Sequence, residues 1–373
     1  MRILITGGGT AGHIHPALAI ADEIKKQYPD TEFLFVGAKG RMETEIVPRH
    51  GYSIKTITIQ GFSRRKSFAG LSHNVKTVYY ALTAGPSCKK ILKEFKPDIA
   101  LATGGYVCGP ILRQAAKQNI PIVLHDSNSF PGVTTKMLAK LAKVVCLPNE
   151  EAVPRIPEGA NTVVTGNPIR ADFYTYEKAQ ARKELNLDDR PLLLSLGGSL
   201  GAARINELIV DVLKESYQTK TIQHLHATGK MEYDEVCEKL NAEHIPLNAD
   251  GMDIRRFIED MPRCMAAADL VVCHCGAMTI GELLASGTPS ILIPSPNVAE
   301  NHQYYNAMTL VNNGAALSIE EKDASSKKLW ETITSLIHDS ARLEEMGTHA
   351  KQRAITYSTK QIVKIIMETL HSK

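Results

Sequence analysis

His13 stands directly behind a run of glycines, Gly7-Gly8-Gly9-Thr10-Ala11-Gly12, that joins an apolar stretch to an amphipathic one. Imidazole is the side chain best suited to moving a proton near neutral pH. Gly7, Gly9 and Gly12 satisfy G-x-G-x-x-G, a spacing that permits a tight turn and close backbone approach to an anion. A second glycine turn, Gly197-Gly198-Ser199, follows the apolar run Leu192–Leu196 about half a chain later and precedes another amphipathic stretch. Its backbone donors and the Ser199 hydroxyl suit a phosphate. Further on, HCGAMTIGELL predicts a helix starting near Ala277, whose amino end would face an anion. Glu282 falls one helical turn after Met278, within reach of ribose hydroxyls at that same end.

A dinucleotide oxidoreductase would place an acidic residue near the end of the second strand to hold a ribose. Here that strand reads FLFVG and ends at Gly37 without a carboxylate, which argues against a dehydrogenase. Tyr106, in ATGGYVCGP, and Asn128, in LHDSN, follow strands expected to end at the same sheet edge as the first turn. Ligands of open α/β sheets bind at that edge, so both residues are candidate sugar-binding groups. Cys273-His274-Cys275 has the look of a metal cluster, but it ends an apolar run and no second ligand pair has zinc spacing. No metal is expected.

These residues need a scaffold, and the chain alternates strand and helix signals twice over. In the first half the strand-like runs are Arg2–Thr6, Glu32–Gly37, Ile54–Ile59, Asp98–Thr103, Pro121–His125 and Lys143–Leu147. Amphipathic stretches at Ala17–Gln27, Val75–Glu94 and Gly109–Gln118 lie between them. TVVTGNPIRAD reads as a last strand and a linker, after which the alternation restarts at Pro191–Leu196. The pattern predicts an α/β chain with two Rossmann-like domains and a ligand cleft between them. The boundaries read as 1–166 and 167–354. The amphipathic Thr359–Leu370, with no strand after it, is expected to return to the first domain within 355–373.

A length of 373 residues, 43% hydrophobic and 22% charged, suits two globular domains. No run reaches the ~20 apolar residues of a transmembrane helix. The amino terminus enters a strand at once, with no signal-peptide core, and the seven cysteines are scattered, so a cytoplasmic location is expected. Residues 1–166 carry 21 Lys and Arg against 12 Asp and Glu, which favours an anionic partner on that side. Gly61–Lys90 has no acidic residue and mixes Arg64, Arg65, Lys66 and Lys76 with Phe62, Phe68, Val75, Val78, Tyr79 and Leu82. The loop Arg64–Lys66 with its flanking Phe residues is the expected contact with an anionic membrane surface. Val75, Val78, Tyr79 and Leu82 have the spacing of a core-facing helix stripe.

Eight segments in order resemble the MurG family: GGGTAGH (7–13), TGGYVCGP (103–110), HDSN (125–128), GNPIR (166–170), GGSLGA (197–202), FIEDM (257–261), GAMTIGE (276–282) and HQYYNA (302–307). The resemblance spans nearly the whole chain. It implies the GT-B glycosyltransferase fold and an inverting transfer of N-acetylglucosamine from UDP-N-acetylglucosamine to the C4 hydroxyl of undecaprenyl-diphosphate-linked muramoyl-pentapeptide (lipid I). It also implies a peripheral place on the cytoplasmic face of the membrane, with cell-wall synthesis proteins as partners and no nucleic acid. By matching motif, Thr10, Ala11 and Gly12 would touch the donor, Asn128 its sugar and Arg170 a phosphate. Ser199 would serve the second turn, and Ile258 would meet uracil through its backbone. Ala277, Met278, Thr279, Ile280, Gly281 and Glu282 would line diphosphate and ribose, and Gln303 would read sugar hydroxyls. His13 is the candidate base. Departures from the commoner pattern are Ala11 for glycine, HDSN for HEQN, and His302 for glutamine. Other readings of the same residues are another lipid-directed sugar transferase, a UDP-sugar epimerase, and a non-catalytic nucleotide-sugar-binding scaffold.

Overall fold

The computed structural model describes residues 1–61, 68–198 and 201–372. The chain forms two compact units, Met1–Pro168 with Tyr357–Lys373, and Ile169–Thr356.

In the first unit, β1 (Arg2–Thr6), β2 (Glu32–Ala38), β3 (Ile54–Ile57), β4 (Ile99–Ala102), β5 (Ile122–His125), β6 (Val144–Leu147) and β7 (Thr162–Val164) form one parallel sheet. Its order is β3-β2-β1-β4-β5-β6-β7, so the chain winds outward from β1 in both directions. Alternation along β1 sends Ile3 and Ile5 to one face and Leu4 to the other. On the first face they join Ile14 and Leu18 of the helix Ala11–Gln27, and Ile362 and Ile366 of the helix Ser358–His371. On the second face Leu4 joins Ile111 and Leu112 of the helix Cys108–Lys117. Both faces are covered, which is why the strands read as unbroken apolar runs. The order 3-2-1-4-5 puts the topological switch at β1 and β4, where their following loops diverge to opposite faces.

The second unit repeats the plan. Its strands are β8 (Leu192–Leu196), β9 (Gln223–Ala227), β10 (Asn248–Ala249), β11 (Met252–Arg255), β12 (Leu270–Cys273), β13 (Ser290–Leu292) and β14 (Ala316–Ser318). The order β10-β11-β9-β8-β12-β13-β14 has the same centre-out winding, with the short antiparallel β10 added at one edge.

Two expectations change. The stretch Val75–Glu94 is two helices, Phe68–Thr83 and Gly85–Phe95. Pro86 lacks an N–H and fits only the first turn of the second helix, so the chain breaks before it. Val75 and Tyr79 do not line a core: they are 64% and 62% exposed.

Candidate functional site

The two glycine turns follow β1 and β8, the central strands of their sheets, and each leads into a helix. In the first, Thr10 is the extended N-cap residue of the helix Ala11–Gln27, and its carbonyl accepts from the N–H groups of His13 and Ile14. Thr10 and Gly12 are exposed, and Ala11 and His13 are half-buried. The turn interlocks with Thr103-Gly104-Gly105, which follows β4. Gly8 N–H donates to the Gly104 carbonyl, and Thr103 Oγ1 donates to the His13 carbonyl at 2.6 Å. A side chain at Gly104 would stand 2.6 Å from His13 Nδ1, so the bare glycine seats the ring.

His13 Nδ1–H donates to the Thr103 carbonyl at 3.1 Å. A carbonyl only accepts, so this bond fixes the neutral tautomer with the lone pair on Nε2. Burial lowers the imidazole pKa below 6.5, while the negative charges of Asp126 and Glu43 and the Thr103 bond pull the other way. The ring is a neutral base with a chosen nitrogen.

Asp126, which the HDSN segment contains without any role assigned to it, organises the loop after β5. Its carboxylate accepts from Asn128 N–H at 3.0 Å, Gly132 N–H at 3.0 Å and the Thr135 hydroxyl at 2.5 Å. Asn128 Nδ2 also turns to it, at 3.3 Å. Tyr106 lies over the first turn: side chains at Gly9 or Gly61 would each stand 3.0 Å from its ring. Burial raises its phenol pKa, opposed by Arg41, which hydrogen-bonds it.

The second unit gathers a different set. Gly276, extended, is the N-cap residue of the helix Ala277–Ser286, and it has no side chain with which to cap. That leaves Ala277, Met278 and Thr279 in the amino-terminal turn, where the helix dipole favours an anion. Of the next residues Ile280 is buried, while Gly281 and Glu282 are half-buried. Enclosure pushes the Glu282 carboxyl up to about 7, against the pull of Arg170. Arg170 is itself exposed, with its guanidinium 5.6 Å from the centre of the Phe173 ring. Gln303 Oε1 accepts from Ser295 N–H at 2.8 Å and Cys275 N–H at 3.3 Å, which leaves Nε2 as the donor end of a fixed amide. Ile258 follows β11 with its side chain buried. Cys273 and Cys275 are buried, and burial raises both thiols. Among the described residues no group of three or more His, Cys, Asp or Glu is arranged to hold a metal. Ser199, Phe62 and Arg64–Lys66 lie outside the described residues.

Comparison with known proteins places this arrangement. Residues 3–147 match the glycosyltransferase family 28 N-terminal domain, and residues 192–362 match the C-terminal domain of the same family. Two curated relatives are named UDP-N-acetylglucosamine--N-acetylmuramyl-(pentapeptide) pyrophosphoryl-undecaprenol N-acetylglucosamine transferase. The one from Acetivibrio thermocellus is 42% identical over 100% of this chain and 99% of its own. The one from Caldanaerobacter subterraneus subsp. tengcongensis is 44% identical over 98% and 100%. The crystal structure of Acinetobacter baumannii MurG superposes with a TM-score of 0.78 at 27% identity, covering 98% of this chain and 99% of that one. The fold class is therefore GT-B, with two Rossmann-like domains, and the chain belongs to the MurG family of glycosyltransferases.

Proposed function

We propose that the chain transfers N-acetylglucosamine from UDP-N-acetylglucosamine to the C4 hydroxyl of undecaprenyl-diphosphate-linked N-acetylmuramoyl-pentapeptide, with inversion, in peptidoglycan synthesis. Full-length similarity to transferases of that name supports the substrates. The observation that carries the chemistry is the tautomer of His13, whose Nε2 holds a lone pair because Nδ1–H is committed to Thr103. In the step itself the C4 hydroxyl gives its proton to Nε2. Its oxygen bonds to the sugar C1, and the bond from C1 to the diphosphate oxygen breaks, so UDP leaves with the electron pair. The developing charge on the diphosphate is met by Arg170, by Ser199 and by the amino end of the helix Ala277–Ser286. Glu282 accepts from ribose hydroxyls, Ile258 offers its backbone to uracil, and Gln303 Nε2 donates to sugar hydroxyls. Thr10, Ala11 and Gly12 touch the donor, Asn128 touches its sugar, and Tyr106 contributes to sugar binding. A mere nucleotide-sugar binder would need no imidazole held in one tautomer.

The lipid acceptor requires the protein to reach the cytoplasmic face of a bilayer. No helix of the described residues is long and apolar enough to cross a membrane. Peripheral contact through the first unit is supported by its basic balance and by two exposed apolar lines. One is Val75 and Tyr79, four residues apart. The other is Val133, Met137 and Leu141, at 55%, 57% and 45% exposure, interspersed with Lys136 and Lys140. Replacing Arg64, Arg65 and Lys66 with Glu should weaken co-sedimentation with anionic vesicles while leaving UDP affinity intact. Unchanged co-sedimentation would remove that loop from the contact.

The proton step is tested by His13→Ala. Loss of a general base costs roughly 10²–10⁴ in rate, so turnover of UDP-N-acetylglucosamine with the lipid acceptor should fall by that much while UDP binding persists. Near-normal turnover at saturating substrates would overturn the role of His13.

A further inference from the structure

The first glycine turn is already occupied. Glu43, fully buried at the start of the helix Glu43–Arg49, sends its carboxylate into the turn. Oε2 accepts from Gly9 N–H at 3.1 Å, and Oε1 accepts from Ala38 N–H at 3.0 Å. Two glycines make the space. A side chain at Gly8 would overlap Glu43 Oε1, and one at Gly37 would stand 2.6 Å from Glu43 Cγ. Neither position has a positive φ, so room for the carboxylate, not backbone conformation, is what glycine supplies there. The Gly9 N–H is a donor that a G-x-G-x-x-G turn otherwise offers to a phosphate. The Gly8 N–H is spent on the Gly104 carbonyl.

We propose that Glu43 is the internal anion of the first glycine turn. It withholds the Gly9 N–H from substrate diphosphates and acts as a positioning residue, holding Gly9 and the following Thr10–His13 segment so that His13 Nε2 meets the acceptor hydroxyl. The catalytic half of this inference rests on the role of His13 proposed above; the occupation of the Gly9 donor does not. A carboxylate suits the place because it only accepts, and both of its partners are N–H donors. A glutamine there would turn an NH₂ group toward one of those donors. The turn in its locked state fixes the Thr10 carbonyl, which caps His13, and the Gly104 backbone, which seats the ring. Charged or titratable groups near His13 are Glu43 at the start of the helix after β2, Asp126 beyond β5, and His125 at the end of β5.

Glu43→Gln and Glu43→Asp, compared with the wild-type protein, test both halves. A misplacement of about 1 Å in a reacting group can cost about 10²-fold in rate. Glu43→Gln should therefore lose kcat by about that factor with KM for UDP-N-acetylglucosamine unchanged. The acid limb of kcat/KM should also move to lower pH, because a negative charge near the imidazole is gone. Glu43→Asp retains the charge and should keep the limb in place, with an intermediate kcat. A wild-type kcat in Glu43→Gln, or a loss of rate with an unmoved limb, would overturn the positioning role. If Glu43→Gln loses its far-ultraviolet dichroism, Glu43→Asp decides: a lowered kcat with an unmoved limb supports the role, and a wild-type kcat overturns it. The occupation of the Gly9 donor is read without any turnover, by titrating glycine-labelled protein with inorganic pyrophosphate and following the Gly9 amide resonance. It should stay fixed in the wild type. A saturable shift there would show an open anion site and overturn the occupation even if transfer activity stands.

Discussion

The two glycine turns share a sequence pattern and the same station behind the central strand of a sheet, but glycine serves different ends in them. In the first, Gly8 and Gly37 clear space for the Glu43 carboxylate, and Gly105, with φ +92°, packs so tightly that a side chain would overlap the Gly8 carbonyl. In the second, Gly198 has φ +101°, and a side chain there would meet nothing within 4 Å among the described residues. The first turn is filled by a carboxylate from another element; at Gly198 of the second, no described residue takes the space. A glycine motif thus announces a close approach without saying what approaches.

The largest effects should come from exchanging these features. Gly8→Ala pushes on Glu43 and should lower turnover by about 10²-fold through displacement of the His13 segment, with UDP binding intact. Gly198→Ala should do the reverse in kind, weakening UDP and UDP-N-acetylglucosamine alike. Its left-handed backbone should also cost about 1–2 kcal/mol of stability by urea unfolding. Equal losses of UDP affinity in the two variants would erase the distinction between the turns.

Glu282 gives the second unit a pH signature. Its folded pKa is raised from 4.5 to about 7, so the folded protein holds a proton that the unfolded chain releases in that window. Stability from this group is complete below 4.5 and lost as pH rises toward 7, by about 3 kcal/mol. Glu282→Gln should flatten that slope in urea titrations at several pH values, and an unchanged slope would dismiss the enclosure. Glu282→Ala should also weaken UDP and UDP-N-acetylglucosamine together, since both carry the ribose. His13 moves oppositely. Its lowered pKa keeps it neutral into mild acid, so the acid limb of kcat/KM should fall below pH 6.5. The smallest effect belongs to Gln303→Ala, which should cost the sugar nucleotide about 1 kcal/mol of binding and leave UDP nearly untouched. Calorimetric titration with both ligands reads the difference, and equal losses would refute the contact with the sugar.

Most strands were legible because both faces of each sheet are covered and their residues run apolar without a break. β10, β11 and β14 escaped because they are short and none runs apolar: Asn248 opens β10, Asp253 and Arg255 interrupt β11, and Ser318 ends β14. His13, Glu282 and Gln303 could be found because motif and helix spacing placed them. Glu43 could not be, since it opens a seven-residue helix with no motif around it and acts on Gly37, six residues before it, and on Gly8 and Gly9, far earlier in the chain. The signal was present in Gly37, a glycine near the end of a buried strand, where close approach of another group is the usual reason. Asp126 was quoted only as a departure from a commoner motif, and its four partners become apparent only when the loop after β5 is folded. The stripe Val75–Tyr79 shows the limit of periodicity, which reports that a helix has an apolar face and not what that face meets.

The most direct measurement is the stereochemistry of the product. Purified protein would be given UDP-N-acetylglucosamine, whose sugar is α-linked to the diphosphate, and undecaprenyl-diphosphate-linked muramoyl-pentapeptide, and the new glycosidic bond read from its anomeric proton coupling. A single displacement assisted by His13 yields a β-linked disaccharide and one UDP per bond formed. An α-linked product, or UDP released with free or epimerised sugar and no disaccharide, would contradict it.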